Sequence, residues 1–397
     1  MKRFANPPWV HARYGLIRAL LFGSALSILS SLYMTVPLVP VFAQQFNVSP
    51  DKASLAGSAF SLFFAAGCLI YGPISDRLGR KRVIVAGLSV LALATLGGAF
   101  VTGFGGLIFF RCLQGAAAAA FSPVALTYAG EVFPPDKRIT AIGFISSGFL
   151  MAGIFGQVWA SSLVELWSWR GVFGALSAVY LFAALLLVVW LPPAPAQANA
   201  AKRKPDGSSL KTVLANPDLR LCYGIAVLLL LCFVGMYSAL GSFLREPPFS
   251  LGDRQILGVR SVGIAGMALS FFAGRMCGRW GTLPVLRTGL LLAVAGMLTM
   301  GFAKDLYAYV AMSVVFVSGI AVVVPSLISL VGEIGGRNRA TATSLYTFVL
   351  FVGASIGPVL TAALLETGPE FLPFLAFAGL LALGLAASFF IRMTRKS

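Results

Sequence analysis

Gly72-Pro73-Ile74-Ser75-Asp76-Arg77-Leu78-Gly79-Arg80-Lys81-Arg82 carries five charges between residues 76 and 82. An apolar window near 54–75 precedes it and another near 83–102 follows. A helix needs about 20 apolar residues to cross about 30 Å of hydrocarbon. Each window is of that length, and a charged connection this short between them is a turn at a membrane surface. Glycines at both of its ends let two helix termini approach and reverse direction within a few residues.

Working outward, the same pattern fills the chain. Apolar windows fall near 16–40, 54–75, 83–102, 104–128, 139–163 and 171–191, then near 221–243, 256–277, 284–302, 306–330, 340–364 and 372–392. The 397 residues are 58% hydrophobic and 11% charged. An ordinary soluble domain carries about a quarter charged residues. The expectation is an all-α membrane protein of twelve transmembrane helices. The division is a cytoplasmic tail 1–15, a six-helix bundle 16–191, a cytoplasmic linker 192–220, a second six-helix bundle 221–392 and a cytoplasmic tail 393–397. The linker opens Leu191-Pro192-Pro193-Ala194-Pro195 and runs through Lys202-Arg203-Lys204-Pro205-Asp206-Gly207, a solvated composition. The N-terminal apolar run is too long for a signal peptide and is read as the first span.

Net charge is +17, but the basic residues form no folded soluble face, so a nucleic-acid partner is not expected. They mark orientation instead. With both termini inside, 23 of the 30 Lys and Arg residues fall on the cytoplasmic side and 5 outside. Such a bias places both ends in the cytoplasm of a multi-pass inner-membrane protein whose outer partner is the lipid bilayer. The two remaining basic residues, Arg111 and Arg260, lie within spans. A charge there is costly unless it faces a partner or a cavity, so both are candidates for substrate or proton coupling. The competing readings are bonding to backbone carbonyls or snorkelling. Tyr33 in span one and Gln157 in span five are further candidates for a polar lining, with packing against a neighbour as the alternative.

The two halves repeat one another. Gly72, Gly79 and Gly87 match Gly274, Gly281 and Gly289, and Gly130-Glu131 matches Gly332-Glu333, all at an offset of 202 residues. Parallel repeats of six spans with a site at their midplane are a transporter architecture. Enzymatic chemistry is not expected. The single histidine, His11, is in the N-terminal tail, and no nucleophile–base set, metal cluster or nucleotide-binding loop is present. The five cysteines lack metal spacing and are read as apolar packing, so no cofactor and no metal is implied.

The 72–82 stretch resembles the G-x-x-x-D-R-x-G-R-[KR] loop of the major facilitator superfamily at every position. Arg111-Cys112-Leu113-Gln114-Gly115 is similar to that family's R-x-x-Q-G element, which adds Gln114 to the candidate site. The resemblance implies two pseudo-symmetric six-helix bundles and a gating latch made of Gly72, Asp76, Arg77, Gly79, Arg80 and Glu131. In it Asp76 would meet the start of span eleven near Arg339, and Arg80 would lie near Glu131. The second-half copy, Gly274-x-x-x-Gly278-Arg279-x-Gly281, lacks the acid, so the latch is expected to be asymmetric. Leu32-Tyr33-Met34-Thr35-Val36-Pro37-Leu38-Val39-Pro40 resembles the drug and sugar efflux permeases. That likeness implies a monomeric carrier of small-molecule substrates, exporting amphipathic compounds in exchange for protons. Two features depart from it. Gly148 to Gly156 lacks the central Pro and final Gly pair of the antiporter motif, and none of the 13 acidic residues lies mid-span. Buried arginines without buried acids leave an anion carrier as the alternative.

Overall fold

The computed structural model describes residues 14–194, 208–303 and 305–391. His11 and most of the N-terminal tail, linker residues 195–207, Lys304 and the basic end of the chain (Arg392, Arg395, Lys396) lie outside the described residues. Among the described residues all regular structure is helical, and twelve helical stretches are long and apolar enough to span a membrane. They are Tyr14–Phe46, Lys52–Leu78, Arg80–Ala99, Phe104–Val132, Pro135–Leu166 and Trp169–Trp190, then Pro217–Arg245, Asp253–Trp280, Thr282–Met300, Leu306–Ile334, Gly336–Thr367 and Leu372–Phe389. They are called spans one to twelve below.

The chain forms two compact units. One comprises residues 1–134 and 144–206, the other residues 135–143 and 207–397. In the first unit, span two packs on span four and span three on span six. In the second, span eight packs on span ten and span nine on span twelve, the same pairing six spans on. The repeat in the sequence is therefore a repeat in packing.

Several helices run past the apolar windows, because hydrogen bonding continues after hydrophobicity ends. Span two starts on a Ser49 N-cap, whose hydroxyl accepts from Lys52 N at 3.3 Å, with Pro50 in the first turn. Span one extends to Phe46 but breaks at Met34. Pro37 has no N–H to offer the Tyr33 carbonyl, which removes a rung of the ladder there. Span four breaks over 119–121 for the same reason, since Pro123 cannot bond the Ala119 carbonyl.

The alanine run in span four is a packing surface. A Cβ on Gly67 of span two would fall 2.6 Å from the Ala119 methyl, so the two backbones approach as closely as small side chains permit. Gly148 and Gly156 of span five do the same against span one. A Cβ at either would meet the Phe22 or Ser30 carbonyl oxygen at 2.7 and 2.6 Å. The glycines at the antiporter-motif position thus have a packing task of their own.

The loops between spans two and three and between spans eight and nine turn identically. Gly79 has φ 90 and ψ 138, and Gly281 has φ 87 and ψ 156. Only glycine adopts this region without strain. Each glycine ends one helix and begins the next.

Candidate functional site

Arg80 opens span three with only 5% exposure, and every one of its five N–H donors is used. Nε and Nη2 donate to the two carboxylate oxygens of Glu131 at 3.2 and 2.9 Å, a bidentate pair. Nη1 donates to the Gly72 carbonyl at 3.3 Å and to the Ser75 hydroxyl, and Nη2 also reaches Asp76. The structure brings Gly72, Asp76, Arg80 and Glu131 into one cluster at the ends of spans two, three and four. Arg77 is exposed beside it, and Gly79 supplies the turn. Ser75 was not legible as a participant. Its position one residue before the acid carries no signal until the arginine folds back over the helix end.

Arg111 lies at the heart of the first unit with 0% exposure. Its Nε donates to the Ala56 carbonyl at 2.9 Å, and Nη2 to the Ser31 carbonyl at 2.8 Å. Nη1 donates to the Ser31 hydroxyl at 3.1 Å and to Gln114 Oε1 at 2.6 Å, one turn along span four. The Phe60 ring lies 4.6 Å from the guanidinium carbon. Gln114 passes the network on, donating to the Ala94 carbonyl of span three at 3.3 Å. One arginine and one glutamine thus tie spans one, two, three and four together through main-chain oxygens. No carboxylate bonds Arg111 among the described residues, so its charge is held by dipoles and a ring face. This is the carbonyl-bonded arrangement that stood as the alternative to a cavity-facing arginine.

Tyr33 and Gln157 meet at Gly153. A Cβ on Gly153 would lie 3.7 Å from the tyrosine ring, and Gln157 donates to the Gly153 carbonyl at 2.6 Å. Both side chains are half-buried. Tyr33 of span one and Gln157 of span five thus both neighbour Gly153. Nearby Trp159 stacks on Phe155 with centroids 6.0 Å apart, and its indole nitrogen is buried without a partner among the described residues.

Arg260 belongs to the second unit. It is half-buried on span eight and donates from Nη2 to the Tyr237 carbonyl of span seven at 2.8 Å. Its Nε and the Tyr237 hydroxyl are buried without partners among the described residues. Tyr237, absent from the sequence reading, has no motif to announce it.

Twelve membrane-spanning helices, a six-span repeat and the Arg80 cluster define a class before any comparison. A family profile described as Major Facilitator Superfamily matches residues 20–259 and 255–397. The chain belongs to the Major Facilitator Superfamily, and it is a multi-pass membrane transporter. The MFS-type transporter YybF of Bacillus subtilis (strain 168) is 30% identical over 344 residues, spanning 84% of this chain and 83% of that protein. The inner membrane transport protein YnfM of Escherichia coli (strain K12) is 27% identical over 274 residues, 67% of this chain and 64% of that one. Among solved structures, the human organic anion transporter MFSD10 has a TM-score of 0.76 at 20% identity, covering 96% of this chain and all of that one. The transporter FucP, crystallised in its outward conformation, has a TM-score of 0.74 at 18% identity, covering 96% and 99%. At these identities the solved structures speak for the fold alone.

Proposed function

We propose that this chain is a secondary active exporter of small amphipathic compounds, driven by protons and working by alternating access as a monomer in the inner membrane with both termini cytoplasmic. The observation that carries the substrate reading is that half-buried Tyr33 of span one and Gln157 of span five both neighbour Gly153. An aromatic face beside an amide suits a ligand with an apolar body and a polar group. YnfM, described as an inner membrane protein, supports the location, and the basic bias of the loops supports the orientation.

In this reading the Arg80 cluster is the gating latch. A guanidinium that fills all five donors on two carboxylates, a hydroxyl and a carbonyl holds three helix ends in one geometry. Opening requires those bonds to be exchanged for others, which makes two discrete states rather than a continuum. Arg111 and Gln114 serve as the rigid frame of the first unit, and they influence coupling by fixing spans one and four rather than by touching substrate. Protons enter through the acids at helix ends, since none lies mid-span.

The test is reconstitution into liposomes with an imposed pH gradient, inside acidic relative to outside. Uptake of a fluorescent amphipathic compound that collapses with protonophore supports the proposal. Uptake that persists after the gradient is abolished removes proton coupling. Absence of any flux across neutral, cationic and anionic compounds removes the substrate reading.

A further inference from the structure

The arrangement of spans seven and eight around Arg260 is reciprocal. Arg260 of span eight lies over Gly241 of span seven, where a Cβ would collide with its Nη2. Tyr237 of span seven lies over Gly263 of span eight, where a Cβ would collide with its hydroxyl. Each helix gives up a side chain to make room for the polar group of the other. Two glycines therefore clear a cradle holding a guanidinium and a phenol.

The hydrogen bonding of that cradle is incomplete. Arg260 spends one N–H on the Tyr237 carbonyl, while its Nε and the Tyr237 hydroxyl are buried without partners among the described residues. Buried donors are normally paired. Arg111 and Arg80 use four and five bonds respectively, whereas Arg287, like Arg260, gives one bond to a carbonyl and leaves its Nε buried without a partner among the described residues. The carboxylate in the same region, Asp253, is paired with Arg245 at 2.7 Å and makes no ion pair with Arg260 among the described residues. Both Arg260 and Tyr237 are half-exposed, although the Arg260 Nε and the Tyr237 hydroxyl are themselves buried, so a ligand must part the packing around them to bond both.

We infer that Arg260 and Tyr237 form an anion subsite of the second unit that takes the carboxylate of an amphipathic organic acid, with Arg260 Nε and the Tyr237 hydroxyl as its donors. Two donors from two helices match two carboxylate oxygens, and the charge of Arg260 gains the counter-ion it lacks. The inference rests on the amphipathic-substrate reading above and narrows it to acids.

The experiment uses the full chain purified in detergent at matched ionic strength, with three probes of one shape: 4-butylbenzoate, 4-butylbenzamide and 4-butylbenzylamine. Affinities come from thermal-shift titration, since a ligand that binds the folded state stabilises it by RT ln(1 + [L]/Kd). The benzoate is expected to bind at least tenfold more tightly than the amide or the amine. That preference should fall about tenfold in Arg260→Lys, whose point charge cannot reproduce the planar donor, and several-fold in Tyr237→Phe, which removes only a hydroxyl. Equal binding of all three probes would overturn the anion subsite while leaving amphipathic transport standing. So would a benzoate preference unchanged in both variants. Failure of every probe to bind or to be transported would sink both readings. If Arg260→Lys does not fold, the wild-type preference together with Tyr237→Phe decides.

Discussion

Replacing Glu131 with glutamine tests whether the Arg80 cluster is a structural tie or an incidental surface pairing. The carboxylate accepts two bonds from Arg80 at 3.2 and 2.9 Å and is 14% exposed, against 5% for the arginine. Glutamine keeps the shape and one acceptor oxygen but turns its amide N–H₂ toward an arginine donor. A hydrogen bond to a charged group contributes about 1.5–3 kcal/mol, so losing one and weakening the other costs about 2–3 kcal/mol. The loss stays below the ~3–5 kcal/mol of a fully broken buried pair, because Asp76 still neutralises Arg80. At about 1.2 °C per kcal/mol for a chain of 397 residues, the melting temperature should fall by about 2–4 °C. Thermal unfolding in detergent, followed by intrinsic fluorescence, measures it. Combining Arg80→Met with Glu131→Gln should cost less than the sum of the two single variants, because both remove the same pair. A fall below about 1 °C in the single variant, or full additivity in the double, would refute the reasoning.

Other substitutions probe the remaining elements. Asp76→Asn should leave insertion and monodispersity intact while reducing flux in liposomes at least tenfold; wild-type flux would remove the latch from the mechanism. Arg111→Ala removes four hydrogen bonds that join spans one, two and four and leaves a cavity, and should destabilise the protein by about 2–5 kcal/mol, read as loss of a monodisperse peak at 37 °C. Arg111→Lys should recover only part of this, since a single ammonium cannot span both oxygens. Gly79→Ala and Gly281→Ala should each cost about 1–3 kcal/mol by backbone strain alone, and similar penalties at both sites are expected from their shared φ; a Tm unchanged by either would contradict that conformation.

The architecture was open to reading because hydrocarbon imposes its length on sequence: each of the twelve spans coincides with an apolar window, most of them running past it at one or both ends while spans three, six, nine and twelve stop short of its far end. The helix breaks at Met34 and at 119–121 were written in Pro37 and Pro123, yet the windows passed over them because hydropathy does not register a missing N–H. Arg80 and Glu131 were foreseeable as neighbours through the resemblance, since both are charged residues in matched loops. Bonding of Arg111 to carbonyls stood as one reading, but which carbonyls it would reach was not foreseeable. Two of its four bonds go to the main-chain oxygens of Ser31 and Ala56, and a carbonyl oxygen is present at every residue. Arg260 was visible as a cation, whereas its cradle depends on Tyr237, Gly241 and Gly263 meeting across two helices.

The paired turns at Gly79 and Gly281 say something about how such a chain comes to exist. A duplicated six-span unit begins with two copies of everything, and divergence erases what can be replaced. Here the acid at position 76 has no counterpart in the second copy, while the glycine and its backbone angles persist in both. A charge can be moved to a neighbour or supplied by another helix. A backbone conformation barred to every side chain has no substitute, so the two glycines preserve the ancestral joint after its electrostatics have gone separate ways.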